Sequence, residues 1–220
     1  MTVLTLEAPW LELDLGAETR VLSWAVHRPG FVLARRILWR EVRNADLPAD
    51  LDVEDWLQSA LAARSALDAV TFLTSRDITC NHVTTAEVEG AKATAVATVG
   101  LSNAERIGQR VDRRGHDWGT INIALRLDTG QGAGLTDAAL VEALSIAASA
   151  RTAAVMEVGL ELPSGLATGT GTDCIAVAAA PGTTAYAGMH TDVGVAAGRA
   201  VFDAVHRGAV EWMETVRRRP

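Results

Sequence analysis

The sequence predicts an α+β fold: a single domain over residues 1–220, with an antiparallel or mixed β-sheet core, in one sheet or two stacked sheets, covered by helices. Two observations carry that expectation. Segments of alternating or β-branched residues crowd the first half of the chain, whereas the two longest helical patterns lie in the second. No linker, low-complexity tract or internal repeat divides the chain.

Trp10 to Leu15 alternates apolar and acidic residues, the pattern of a half-exposed strand, and Val21 to Val26 reads as a second strand. His27-Arg28-Pro29-Gly30 is a turn cluster, after which Phe31 to Val42 is again extended. A helix is expected from Val53 to about Leu67, with Asp52 as N-cap and Glu54 and Asp55 facing the positive end of its dipole. Val70 to Leu73 reads as a buried strand. Cys80 to Leu101, rich in Thr, Val and Ala and broken at Glu89-Gly90, reads as a hairpin.

Thr120 to Leu127 sets Ile121, Ile123, Leu125 and Leu127 on one face of a strand, and the glycine-rich turn 129–134 follows. A long helix capped by Thr136 runs to Val158, with Leu140, Leu144, Ala147, Ala148 and Val155 toward the core. Cys174 to Ala179 reads as a strand. The last helix, from Asp192 to about Glu214, has a stripe of Val193, Ala197, Ala200, Val201, Ala204 and Val205. The tally is roughly seven to nine strands and three main helices.

Composition narrows function. The formal charge is −7 and no basic stretch could displace counterions from a duplex, so nucleic acid is not expected as a partner; Arg217-Arg218-Arg219 reads as a solvated end. Cys80 and Cys174 are far apart and belong to no Cys/His cluster, so neither a zinc site nor a disulfide framework is indicated. His116-Asp117 lacks the rest of a ligand set, and no protein-bound metal or other cofactor is expected. The start lacks a secretory leader, and Arg151, Asp173 and Pro181 interrupt the most apolar segments, so a cytoplasmic protein without a membrane span is expected. Homo-oligomers are compatible with this reading. Of the ten aromatic residues six are Trp, mostly core or rim in expectation, with one or two able to wall a site for a large flat ligand.

Polar blocks sit where strands end: 98–104 (TVGLSNA), 119–123 (GTINI), 167–173 (ATGTGTD) and 186–191 (YAGMHT). Glycine admits close backbone approach, and Thr, Asn and Asp offer short, well-fixed polar groups. Amide hydrolysis needs an activated nucleophile, a proton donor for the leaving amine and donors for the oxyanion. On residue chemistry His190 is the candidate acid and base, Asp173 its orienting partner or the holder of a water, and Thr170 or Thr172 a nucleophile or donor. Ser102, Asn103, Thr120, Asn122, Tyr186 and Thr191 are candidate substrate contacts. Plainer readings stand beside these: on composition the Gly-Thr run is more often a tight turn than a catalytic loop, Asp173 can close an Asx turn, Thr191 can be an N-cap only, and Cys174 reads as a small core residue before a nucleophile.

In order and spacing the four blocks resemble the adenosylcobinamide amidohydrolases, the CbiZ-type family of corrinoid salvage, over residues 21–210 or so. The resemblance implies a small-molecule corrinoid substrate whose cobalt belongs to the ligand. It also implies hydrolysis of the amide joining the corrin's propionyl arm to aminopropanol, giving adenosylcobyric acid for cobalamin synthesis. A corrinoid-binding protein without hydrolysis, an amidohydrolase for a different amide, and a phosphate or nucleotide binder using the Gly-Thr loops stand as alternatives. All of these expectations require the four blocks to share one pocket.

Overall fold

The computed structural model describes residues 3–43, 46–48, 50–109, 118–130 and 132–217. His116, Asp117, Arg218 and Arg219 lie outside them. The architecture is α+β. Strands β1 (Val3–Glu7), β2 (Trp10–Ser23), β3 (Gly30–Glu41), β4 (Val70–Thr74), β5 (Asn81–Val88), β6 (Ala91–Val99), β8 (Ile121–Asp128) and β12 (Cys174–Ala179) form one mixed sheet. Its order is β4-β3-β2-β12-β8-β6-β5, with β1 added on β2. Four two-residue strands, β7 (Ala104–Glu105), β9 (Glu161–Leu162), β10 (Gly165–Leu166) and β11 (Gly169–Thr170), make two small ribbons, β9 with β10 and β7 with β11.

One sheet serves where the sequence left two stacked sheets open, because β2 bends. Asp14 pairs with Arg36 and Thr19 with Ala34, so β2 carries extra residues across a bulge that includes Gly16 at φ 78°. Thus Trp10–Leu15 and Val21–Val26, read separately in the sequence, belong to one strand that ends at Ser23. Beyond it, His27 exchanges two backbone hydrogen bonds with Thr71 on β4, each 3.3 Å. The sheet thereby folds over itself. Leu11, Leu13, Ile37, Trp39, Val70 and Phe72 from its first half pack in the same cluster as Val96, Ala124, Cys174, Ala176 and Ala178 from its second.

The opposite face of the second half carries the helices. Ile121, Ile123, Leu125 and Leu127 are buried in a cluster with α2 (Asp137–Val158) and α3 (Asp192–Trp212), as the strand's period of two demands. All six stripe residues expected on α3 are buried, as are Leu140, Ala147 and Val155 on α2; Leu144 and Ala148 are partly buried. Thr136 and Thr191 are the N-caps, accepting from Ala139 N and Gly194 N. Small residues on α3 let it lie close to the sheet: a Cβ on Gly208 would stand 2.7 Å from Val99 Cγ2. By length and composition α2 could cross a bilayer, but it packs against β12 and α3. Helix α1 (Val53–Ala63), capped by Asp52, buries Leu57 and Leu61 against Trp10 and Leu38; it stops short of Leu67 because Ser65 turns to φ 54°.

β8 and β12 run parallel, joined through α2, and α3 follows β12. Both helices therefore start beside the C-terminal ends of these strands and run back toward their N-terminal ends. This arrangement decides which polar blocks meet.

Candidate active site

Three of the four blocks converge at the N-terminal ends of β8 and β12, where β6 finishes. Residue Gly100 donates its N–H to Thr120 O at 2.9 Å, fastening the loop after β6 to the entry of β8. Gly119 is required here: a Cβ would stand 2.7 Å from Ser102 N and 2.8 Å from Gly100 O. The entry to β12 locks onto the same loop reciprocally. Thr172 Oγ1 donates to Gly119 O at 3.0 Å and Thr120 Oγ1 donates to Thr172 O at 2.8 Å. Asn103 Nδ2 reaches Thr172 Oγ1 at 3.3 Å, and its buried Oδ1 has no partner among the described residues. Asn122 is almost wholly buried and donates to Leu73 O at 2.7 Å, tying β8 to β4 across the fold of the sheet. One of its two amide N–H groups is thus engaged in the frame. Ser102 stands in the same loop and has a partner of its own.

Asp173 anchors the cluster. Its carboxylate is ion-paired with Arg151 of α2 and accepts from Thr170 Oγ1, from Thr170 N at 3.0 Å and from Ile121 N at 3.2 Å. Those donors fill the roughly four acceptor positions of a carboxylate. Asp173 is therefore the frame of the turn 170–173, and Thr170 is held within that frame. Burial lowers the pKa of the Arg151 guanidinium, and Arg151 keeps its charge against Asp173. Cys174, the next residue, has its thiol pushed up to about 12 by burial, as suits a core residue.

Above this floor opens a cleft of about 310 Å³. Val26, Val42, Leu47, Leu73 and Trp118 supply apolar walls, Thr74, Ser75, Gly119, Thr120 and Thr172 polar edges, and Arg43 one cation. Trp24 does not line the cleft but is fixed beside it, two residues before Val26, by its indole N–H, which donates to Asp173 O, next to Thr172, at 2.7 Å. The sequence signalled Thr120 and Thr172; it did not single out Val26, Val42, Arg43, Leu47, Leu73, Thr74 or Ser75, which the folding-over of the sheet brings to them from the end of β4 and the segments that follow β2, β3 and β4. Ser75 directly follows β4, a place analogous to the other blocks, and donates to Trp118 O at 3.1 Å. Close by, Glu211 near the end of α3 pairs with Arg76 at 3.0 Å and lies 2.8 Å from His82 Nε2.

The fourth block lies elsewhere, which corrects the expectation of one shared pocket. Thr136 N donates to Thr184 O and Ala187 N to Glu142 of α2, so the segment with Tyr186, His190 and Thr191 sits beyond the C-terminal ends of β8 and β12. The eight residues of β8 put about 26 Å between its ends at roughly 3.3 Å per residue, and α3 spans a similar length from Thr191 to the floor. His190 and Tyr186 are exposed there, and Tyr186 and Thr191 border a separate hollow of about 330 Å³ beside Glu89 and Thr129. Thr191 acts as the N-cap and also donates to Gly188 O at 2.8 Å. His190 and Asp173 therefore cannot act on one amide within one chain. Among the described residues no group of three or more His, Cys, Asp or Glu is placed to hold a metal ion.

Residues 2–217 match a family model described as CbiZ, adenosylcobinamide amidohydrolase. A comparison with curated proteins gives no match.

Proposed function

The chain belongs to the adenosylcobinamide amidohydrolase family, and from that membership we propose that it hydrolyses the amide between the corrin's propionyl arm and aminopropanol, with the scissile amide held over Thr120 and Thr172. In the reaction the oxygen of water joins the acyl carbon, the C–N bond breaks and the nitrogen takes a proton. The products are adenosylcobyric acid and free aminopropanol, and the acid is available for cobalamin synthesis.

The observation that carries this placement is the floor of the cleft. Thr172 is exposed there, and its hydroxyl is fixed between Gly119 O and Asn103 Nδ2. With its proton given to Gly119 O and one lone pair taken by Asn103, this fixed hydroxyl keeps a second lone pair at the base of an apolar cleft, where it can accept from the attacking water and position it. Among the described residues lining the cleft none is a carboxylate or imidazole, and Ser75, Thr120 and Thr172 each give their hydroxyl proton to a backbone carbonyl. That same feature favours, as a second reading, a protein that holds the corrinoid without cleaving it.

The test is incubation of purified protein with adenosylcobinamide, followed by chromatography for adenosylcobyric acid and detection of aminopropanol. Formation of both in equal amounts supports hydrolysis. Binding without products selects the second reading, and absence of both removes the corrinoid assignment.

A further inference from the structure

The mouth of the cleft is built unlike its floor. Trp118 is 61% exposed, Trp24 44% and Val26 46%. An indole left this open forgoes much of the burial that ordinarily stabilises it, roughly 25 cal/mol for each Å² left in water. Trp24 is not free to swing, because its N–H is bonded to Asp173 O. Trp118 is held through its backbone, whose carbonyl accepts from Ser75 Oγ, and by Gly119, which is wedged against the loop at 100–102. One open indole, Trp118, thus lines a cleft whose volume lies at the bottom of the range for small-molecule pockets, and a second, Trp24, is pinned beside that cleft at Asp173.

Volume and rim together point to a binding mode, which rests on the reading of the substrate as a corrinoid. We propose that only the amide-bearing arm of the substrate descends into the cleft, while the macrocycle stays outside and packs against Trp24 and Trp118. The cleft has room for a propionamide arm with its aminopropanol and none for the ring. The apolar surface of the ring's face covers indole surface that is otherwise in water, and aromatic surfaces dominate the energetics of such contacts. Trp24 and Trp118 are then the residues that distinguish a corrinoid from a small amide with the same arm, whereas Thr120 and Thr172 meet the arm whichever group carries it.

Equilibrium dialysis of adenosylcobinamide against the wild type and the Trp118→Ala, Trp118→Phe, Trp24→Ala and Trp24→Phe variants tests this, with thermal unfolding run on each. The expected result is a Kd at least about tenfold higher for each Ala variant, and within about threefold of wild type for each Phe variant, which keeps an aromatic face. Phe at position 24 also covers the case in which Trp24→Ala fails to fold. Ala variants that bind within threefold of wild type overturn the proposal, as do Phe variants that fall as far as Ala. A wild type that binds and cleaves the corrinoid while its Trp variants bind normally sinks only the rim. One that binds through the indoles but yields no product sinks only the hydrolysis, and one that never binds sinks both.

Discussion

The Arg151 guanidinium, reaching out from α2, meets the carboxylate of Asp173 at the entry of β12, and through that carboxylate it fixes the backbone of β8 as well. The Asp173 side chain is only 6% exposed, so the pair is largely shut off from solvent. Removing one partner of a buried pair strands the other charge, which costs about 3–5 kcal/mol. Asp173→Ala is expected to lower the unfolding free energy in urea by about 3 kcal/mol. Arg151→Met should do the same, and the double variant should lose less than the sum of the two. Additive losses would show that the pair is not coupled.

Thr172 is tied to two other loops through its hydroxyl, and the residue itself is exposed at the floor. Thr172→Val keeps the shape and removes the group; kcat/KM toward adenosylcobinamide is expected to fall about a hundredfold, while Thr172→Ser recovers most of it. Equal activity of the Val and Ser variants would remove the hydroxyl from the reaction.

His190 lies at the other end of the sheet, so His190→Ala is expected to keep kcat/KM within about threefold of wild type. A hundredfold loss in this variant, with unchanged thermal stability, would require the two ends to be brought together by a second copy of the chain.

Cys174 supplies a pH dependence. Burial lifts its thiol from 9.0 to about 12, so in the folded chain it holds its proton where the unfolded chain has lost it. The unfolded state therefore binds fewer protons between those values, and folding stability, complete below about pH 9, declines as the pH is raised toward 12. Cys174→Ala should flatten that decline in urea titrations. At pH 8 iodoacetamide should leave Cys174 unlabelled until urea is added; labelling at equal rates in folded and unfolded protein would contradict the burial.

Much of the fold was legible because the relevant signals are local. The hairpin of β5 and β6 turns at Glu89 and Gly90, both at positive φ. Thr136 and Thr191 cap the helices that their positions announce, and the alternation over 121–127 gives the helix-facing side of β8. β1 was not legible: four of its five residues are exposed, so it carries little of the pattern that burial imposes. Nor was the unity of β2, since Gly16, Ala17 and Glu18 look like the end of a strand when they form a bulge within one. The site was half legible. Residue types identified polar loops at strand ends but not which ends. One clue was present: Asp173 immediately precedes β12 and Tyr186 follows it, and a strand separates what flanks it by its own length. Trp118 and the walls from the end of β4 and the segments that follow β2, β3 and β4 depend on the sheet folding over, a long-range event that no local window contains.

The bent strand has a further consequence for how the molecule comes apart. Residues 10–14 of β2 pair with β1 and β3, while residues 20–23 pair with both β3 and β12, so the same strand is structural in both halves of the sheet. Neither half can be released without tearing β2 from the other. The amides of β2 near Val21 should accordingly exchange with deuterium only through global opening, at the same free energy as those of β8, and denaturation should proceed in one transition.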